Sequence, residues 1–375
     1  MLQRPRAITM WDFSYLERRW TGGGYEDWPR VLDELTQRGY DAVRIDAYPH
    51  LFAKDPVGEW TLYPAWDQQA WGAPLITKVD RLKERILKFI TLCRERDIMV
   101  GLSTWFREDQ DKNYMEISSP EDLAKIWLTV LDAISEAGLL DCILYVDLCN
   151  EYPQNCWAPF LKNDPDYRRA VENGEQKEDE DLSRTHPISV RWMKESIAVL
   201  RKKYPQLLYT FSQVGEYESF SRQDTSMLSL LEPHIWMSAY SEYYEVLGYN
   251  YARFDPKDFQ NLALNGERIY REKADYWDEK LKEAVRMHAE WSRKADLPLI
   301  TTECWSLVDF KDGPLLHWDW IKHLCEVGTI SAVAEGRWIA IATSNFCGPQ
   351  FAGMWRDVAW HKRLTDQIKK GALPH

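Results

Sequence analysis

The sequence lacks the features that mark several large classes of protein. Its 375 residues contain no apolar run approaching the roughly 18 residues that cross a membrane. The formal net charge is −12, so no nucleic-acid partner is expected, because phosphate binding needs clustered Lys and Arg. The opening residues, MLQRPRAITMWDF, lack the apolar core of a signal peptide. We therefore expect a cytoplasmic protein with no membrane partner, and the oligomeric state stays open.

Motifs for disulfides, metals and phosphates are also missing. The seven Cys are odd in number and scattered without a C-x-x-C pair, which is typical of reduced, intracellular thiols. The eight His are dispersed, and H-E-x-x-H does not occur. Neither G-x-S-x-G nor a P-loop pattern is present. We expect no metal and no other cofactor.

Aromatic residues, in contrast, are abundant. They make up 13% of the chain and include 19 Trp, more than a core of this size needs. Trp and Tyr suit surfaces that stack on rings while keeping a polar edge.

Short apolar segments alternate with amphipathic ones along the whole chain. This alternation predicts a parallel α/β sheet, and eight repeats favour closure into a (β/α)8 TIM barrel, a single catalytic domain over residues 1–375. An open doubly wound sheet is the alternative, but Gly22–Gly24 lacks the G-x-G-x-x-G spacing. The predicted strands are Ala7–Phe13, Ala42–Ala47, Met99–Trp105, Ile143–Leu148, Leu207–Ser212, Ile235–Ala239, Leu299–Thr302 and Trp338–Thr343. Ile330–Ala334 is an alternative candidate for the eighth strand, although it could also be the end of a helix.

Between the strands, apolar residues recur at the spacing of helices. Ser119 is a plausible N-cap, followed by Pro120 at the first helical position. The predicted helices are Trp28–Arg38, Val79–Arg96, Pro120–Ala137, Ser189–Lys203 and Tyr276–Lys294.

Two long insertions follow the fourth and the sixth predicted strands. The first, Gln154–His186, contains the run ENGEQKEDED, which predicts a solvated surface loop. The second is Ser241–Asp275. In a barrel both would leave the sheet at the C-terminal face, where active sites are built.

Two glutamates stand directly after predicted strands. Glu151, preceded by Asn150, follows strand four, and Glu303 follows strand seven. Two facing carboxylates are what cleavage of a glycosidic bond requires, and an adjacent amide can hold the sugar 2-hydroxyl in the transition state. An Asn-Glu pair alone is usually a helix N-cap with a first-turn acid, so the argument depends on Glu303 as well.

The ordered set of motifs resembles the clan A retaining glycoside hydrolases, the cellulase-like (β/α)8 superfamily. The resemblance rests on Asn-Glu after strand four and Glu after strand seven, and it implies that Glu151 is the acid/base and Glu303 the nucleophile. The segment GYDAVRIDAYPH resembles the second-strand region, in which an Arg supports the nucleophile; here that is Arg44. From the residues alone, Arg44 could instead pair with Asp46 or Asp12.

The resemblance also implies substrate-binding aromatic residues. In HIWMSAY, which resembles the sixth strand, Tyr240 would contact the nucleophile, with Tyr243 and Tyr244 as competing choices. In SNFCGPQFAGMW, which resembles the strand-eight loop, Trp355 is a candidate platform, and Trp305 is another. Trp105 stands where many relatives carry a His, so the sequence leaves the sugar open.

The sequence therefore favours a retaining hydrolase of β-glycosidic bonds, acting on an oligosaccharide or glycoside. A non-hydrolytic carbohydrate-binding barrel and a transglycosylase are the alternatives. Cys149 and Cys304 neighbour the two glutamates, but strand alternation directs them into the wall, where we expect buried, inert thiols. Trp11 and Asp12 end strand one and are weaker candidates for the site.

Overall fold

The computed structural model describes residues 3–64, 76–237, 242–249, 256–307, 312–313, 315–345 and 347–374. The strands are β1 Arg6–Asp12, β2 Ala42–Asp46, β3 Glu59–Leu62, β4 Thr77–Asp80, β5 Met99–Ser103, β6 Ile143–Asp147, β7 Tyr209–Thr210, β8 Gln213–Val214, β9 Pro233–Trp236, β10 Leu299–Thr301, β11 Cys304–Trp305 and β12 Trp338–Ala342. The helices are α1 Ser14–Glu17, α2 Trp28–Gln37, α3 Pro49–Lys54, α4 Leu82–Arg94, α5 Pro120–Glu136, α6 Pro165–Glu172, α7 Pro187–Lys203, α8 Glu242–Leu247, α9 Pro256–Glu272, α10 Ala274–Ala295, α11 Asp319–Glu335, α12 Ala352–Trp355 and α13 Val358–Lys370. No helix in this part of the chain is both long and apolar enough to cross a membrane.

Each of the eight predicted strand segments overlaps an observed strand, namely β1, β2, β5, β6, β7, β9, β10 and β12. The eighth is Trp338–Ala342, while Ile330–Ala334 lies inside α11. The sequence analysis missed the antiparallel hairpin of β3 and β4, in which Glu59 pairs with Asp80.

The predicted helices are confirmed within a few residues at their ends. The Oγ of Ser119 accepts a hydrogen bond of 3.1 Å from the backbone N of Asp122, so it is the N-cap of α5. The helix predicted from Val79 begins only at Leu82, because the residues before it pair as β4.

The chain divides into two compact units. One contains the described residues of Met1–Arg44 and Pro233–His375, and the other those of Ile45–Ala65 and Ile76–Glu232. We call them the first and the second unit.

In the first unit, β12 lies between β1 and β10, and both pairings are parallel. All five residues of β12 are buried, so the strand is apolar on both faces, as expected for a parallel sheet covered by helices. The short strands β9 and β11 also pair in parallel, with Cys304 opposite Ile235. This pairing brings the residues after β10 beside the start of β9.

In the second unit, β6 lies between β5 and β7, again in parallel. Every residue of β6 is buried. Gly101 of β5 is required here, because a Cβ at this position would lie 2.4 Å from the ring of Tyr145 on β6. Glu151 follows the C-terminal end of β6, and Ser212 follows that of β7.

The two insertions contain short helices. The first includes α6, and its acidic run 172–181 is exposed except for Gln176, which confirms the predicted surface loop. The second includes α8 and α9.

Candidate active site

Glu303 of the first unit follows β10 at its C-terminal end, and its side chain is only 4% exposed. A carboxylate is rarely buried without a partner. Here Oε1 lies 3.6 Å from Nη2 of Arg44, and Oε2 lies 3.5 Å from Nδ1 of His234. Each oxygen of Glu303 therefore faces a different basic side chain.

Arg44 is completely buried and organises this cluster. Its Nη2 lies 3.1 Å from Oδ2 of Asp12, and its Nη1 donates to Oγ1 of Thr302 at 2.6 Å. Of the two alternative partners left open by the sequence, Asp12 is a partner of Arg44 in this unit. The guanidinium of Arg44, whose N–H groups are held in a rigid fork, thus contacts two carboxylates, Asp12 in β1 and Glu303 after β10.

The contacts of His234 determine its tautomer. Its Nε2 lies 3.3 Å from Nη1 of Arg44, and a guanidinium can only donate hydrogen bonds. Nε2 must therefore accept, and the proton of the neutral ring is on Nδ1, facing Oε2 of Glu303. His234 opens β9 and was not among the predicted site residues, although the motif that contains it was.

Two of the predicted platform residues, Trp305 and Trp355, have packing contacts within the first unit. Trp305 is fully buried, donates from Nε1 to the backbone oxygen of Ala342 at 2.8 Å, and packs directly against Gly328 of α11. With its ring enclosed by protein, it has no face left for a sugar. Its peptide bond with Cys304 is cis.

Trp355 also has packing partners in the first unit. Arg38 lies 3.9 Å above the centre of its ring, and Nε1 donates to Oε2 of Glu34 at 3.0 Å. The indole therefore bridges α12 to residues of α2 and its C-terminal end, a role that sequence position alone could not reveal. Tyr240 lies outside the described residues, and its competitors Tyr243 and Tyr244 are buried in α8.

Glu151 of the second unit lies just beyond the end of β6 and is half-buried. Its backbone is left-handed, with φ of +43°, which a residue with a Cβ adopts at some cost. Its backbone N donates to Oγ of Ser212 at 2.9 Å. The hydroxyl of Ser212 in turn donates to Oδ2 of Asp147 at 2.9 Å, because a carboxylate can only accept.

Asp147 holds the segments around Glu151 together by hydrogen bonds. It is completely buried at the end of β6, and it also accepts from Oγ of Ser103 at 2.7 Å and from the backbone N of Ser212 at 2.8 Å. Its hydrogen bonds thus connect the ends of the strands β5 and β6 with the segment that follows β7. Burial of a carboxylate is tolerated because several donors surround it.

The side chain of Glu151 has a partner of its own. The Nε1 of Trp157 donates to Oε2 of Glu151 at 3.0 Å. Trp157 is buried, and its ring meets the predicted site residue Trp105 edge-on, with centroids 4.6 Å apart. Trp105 is itself held through its backbone N, which donates to Oδ2 of Asp46 at 2.8 Å. The second unit therefore brings Trp105 to the surroundings of Glu151.

Asn150 is completely buried, and its backbone N donates to the backbone oxygen of Thr104 at 2.9 Å. A fully buried amide thus precedes a half-buried acid in the chain. Arg184, which reaches in from the first insertion, donates to the backbone oxygens of Tyr152 and Ser212, and so clamps the loop after Glu151. Burial lowers the pKa of Arg184 to about 10.

Glu151 opens into a cleft of about 610 Å³ in the second unit. The cleft combines charged, hydroxyl and amide side chains with the rings of Tyr152 and Tyr217, a mixture that suits a polar ligand better than an apolar one. Its lining includes Glu151, Gln154, Asp181, Ser183, Glu216, Tyr217, Glu218 and Arg222.

The two thiols next to the glutamates are buried, as predicted. Burial raises the pKa of both Cys149 and Cys304 well above the ordinary value of a thiol, so both stay protonated and unreactive. Neither forms a disulfide.

Four functional candidates escaped the sequence analysis: His234, Trp157, Ser212 and Asp147. Two of them carried a signal. His234 stands in the same strand-six motif as Tyr240, and Trp157 follows Glu151 by less than two helical turns of sequence. Ser212 and Asp147 had none, because Ser and Asp at strand ends are common.

Comparison with known proteins gives a consistent result. The sequence model of the sugar-binding cellulase-like family matches residues 8–369. A crystal structure from Parabacteroides distasonis, provisionally assigned as a glycoside hydrolase, is 50% identical and covers 99% of this chain and 95% of its own, with a TM-score of 0.92. No curated protein matches the chain.

More distant structures share the fold. An endoglucanase is 14% identical over 97% of both chains, with a TM-score of 0.57. A family 5 mannosidase from Rhizomucor miehei is 10% identical over 97% of this chain and 93% of its own, with a TM-score of 0.54. Together with the alternating strands and helices, these matches confirm the predicted α/β barrel class.

Proposed function

Because the chain belongs to the sugar-binding cellulase-like family, we propose that it is a retaining glycoside hydrolase. In this proposal it cleaves a β-glycosidic bond of an oligosaccharide or glycoside by double displacement. Family membership and the fold shared with an endoglucanase and a mannosidase support glycoside hydrolysis. The finer assignment rests on the different surroundings of the two glutamates.

Glu303 is the proposed nucleophile. A nucleophile must be ionised and held still, and the buried guanidinium of Arg44 attracts the charge of this carboxylate while His234 fixes its second oxygen. In the first step an oxygen of Glu303 attacks the anomeric carbon as the bond to the leaving oxygen breaks. The product is a covalent glycosyl-enzyme.

Glu151 is the proposed acid/base. It is more exposed than Glu303 and opens into a cleft that is large enough for a departing sugar. It donates its proton to the leaving oxygen in the first step and takes a proton from water in the second. This difference between a buried, charge-paired carboxylate and a half-exposed one is the observation that carries the proposal, since the two roles need different environments.

One further residue has a proposed contact with substrate. Asn150 would hold the 2-hydroxyl of the sugar in the transition state, where such hydrogen bonds strengthen. Trp105 would act only through its buried ring, which packs on Trp157, the partner of Glu151. Arg44 would act on substrate only through Glu303.

The test is azide rescue of Glu151→Ala and Glu303→Ala, after a panel of aryl β-glucosides, β-mannosides and related glycosides has identified a substrate. With a dinitrophenyl leaving group, Glu151→Ala should form the glycosyl-enzyme and then accumulate it, because no base activates water. Azide needs no base, so it should restore turnover and give the β-glycosyl azide. The anomeric configuration is read by NMR.

Other outcomes are equally clear. Glu303→Ala should give the inverted α-azide, because azide then replaces the missing nucleophile in a single displacement. A β-azide from Glu303→Ala together with an α-azide from Glu151→Ala would mean that the two roles are reversed. Saturable binding of sugars without turnover on any glycoside would favour the non-hydrolytic binding protein. Products longer than the substrate would identify a transglycosylase.

A further inference from the structure

The carboxyl group of Glu151 is held at one oxygen by a group that can only donate. An indole N–H has no lone pair to offer, so Oε2 of Glu151 must accept from Trp157 in every protonation state. In a neutral carboxyl group the carbonyl oxygen is a better acceptor than the hydroxyl oxygen, so this hydrogen bond favours Oε2 as the carbonyl oxygen and Oε1 as the oxygen that carries the proton.

Trp157 is fixed well enough to impose this preference. Its ring is buried against Trp105 with an interplanar angle of 73°, and its backbone N donates to the oxygen of Gln154 at 3.0 Å. The backbone of Glu151 is fixed independently, through Ser212 and Asp147. Both ends of the Glu151 side chain are thus anchored within one unit of the protein.

We propose that Trp157 is a positioning residue that favours Oε1 of Glu151 as the site of the transferable proton and stabilises the carboxylate that is left when this proton departs. The proposal rests on the assignment of Glu151 as the acid/base. In the first step the proton on Oε1 passes to the leaving oxygen as the glycosidic bond breaks. In the second step Oε1 takes a proton from water as the water oxygen attacks the anomeric carbon and releases Glu303.

The role predicts an effect that depends on the leaving group. In Trp157→Phe the ring and its contact with Trp105 remain, but the N–H is lost. Hydrolysis of a phenyl glycoside, which needs a proton, should fall in kcat/KM by about 10- to 100-fold, a part of the roughly 10²- to 10⁴-fold that proton transfer contributes. A dinitrophenyl glycoside, whose leaving group needs no proton, should change less than about threefold. A merely structural defect would lower kcat/KM by the same factor for both substrates, because such a defect does not depend on whether the leaving group needs a proton.

The matched control is Trp127→Phe. Trp127 is also buried in the second unit, and its indole N–H donates to the backbone oxygen of Leu148 at 3.0 Å. The variant therefore loses one indole hydrogen bond that does not involve Glu151. Trp127→Phe should lower kcat/KM by the same factor for the phenyl and the dinitrophenyl glycoside.

The outcomes separate the two proposals. If azide rescues Glu151→Ala to the β-azide but Trp157→Phe loses activity equally on both substrates, the role of Trp157 is refuted and the acid/base assignment stands. If azide fails to rescue Glu151→Ala, the acid/base assignment itself falls. Circular dichroism and the melting temperature check that both Phe variants are folded.

Discussion

Nη2 of Arg44 lies 3.6 Å from Oε1 of Glu303, and both side chains are almost completely removed from water. The same nitrogen lies 3.1 Å from Asp12, so a single positive charge stabilises two buried carboxylates. Removing one partner of a buried ion pair is far more damaging than removing an exposed one, because the other charge stays buried.

We therefore expect Arg44→Met to lower the free energy of unfolding by about 3–5 kcal/mol and to abolish turnover. Arg44→Lys should retain neither the full stability nor the full turnover of the wild type, because an ammonium cannot reproduce the fork that reaches Asp12, Glu303 and Thr302. Urea denaturation measures the first effect. The control is Arg81→Met, an exposed Arg paired with Asp80, which should leave stability almost unchanged. Equal effects of the two Met variants would contradict the buried ion-pair account.

His234 is expected to affect the rate more than binding. Its Nδ1 faces Oε2 of Glu303 at 3.5 Å, and a hydrogen bond to a charged group contributes about 1.5–3 kcal/mol. His234→Leu should lower kcat roughly 10- to 100-fold with little change in KM. His234→Asn, whose amide N–H can take the place of Nδ1–H, should retain more activity. Steady-state kinetics on an aryl glycoside decides, and equal losses in the two variants would argue against the donor role.

Gly328 tests the packing of Trp305. A Cβ at position 328 would lie 2.5 Å from the indole, closer than atoms can approach. Gly328→Ala should thus lower the free energy of unfolding by about 1–3 kcal/mol, despite the higher helix propensity of Ala. Thermal unfolding measures the change. A stabilised variant would mean that Trp305 can move away and would reopen its assignment as a buried packing residue.

Buried histidines should make the protein sensitive to mild acid. Burial lowers the pKa of His288 from 6.5 to about 4, so the folded state resists a proton that the unfolded state binds. The stabilising effect of this neutral ring is complete above pH 6.5 and is lost as the pH falls from 6.5 to 4, by up to about 3 kcal/mol.

His288→Asn should therefore reduce the loss of stability between pH 7 and pH 4.5, because Asn does not titrate and its amide can still donate to the backbone oxygen of Ala284, as Nδ1 does at 2.7 Å. Urea midpoints at the two pH values measure the difference. His50 and His361, whose pKa values burial lowers to about 4 and about 3, should keep part of the sensitivity in the variant. An unchanged difference would show that His288 is not a source of it.

The sequence located the strands well because each is a short apolar run between turn residues, a signal carried by neighbours in the chain. It missed β3 and β4 for the same reason. Each has only four residues, with two apolar residues in β3 and one in β4, which is too short an apolar signal to recognise along the chain. Pairing with each other completes both strands. The start of α4 was misplaced because Thr77–Asp80 joins that hairpin.

The aromatic residues show the limit of the same reasoning. Trp105, Trp305 and Trp355 look equivalent in sequence, each beside a predicted strand end or loop. Only the packed structure separates them, since Trp305 lies under α11 and Trp355 under the guanidinium of Arg38. Trp105 alone of the three lies with its ring against the partner of Glu151.

By itself, the sequence determined the order of strands and helices and the positions of Glu151 and Glu303 after two of the strands. Those features depend on local periodicity and on the chemistry of single residues. Only the tertiary structure decided which groups hold each carboxylate: Arg44 and His234 for Glu303, and Trp157 and Ser212 for Glu151. Such partners are mostly distant in the chain, and their choice depends on which side chains fill the same buried space, which no pattern along one sequence encodes.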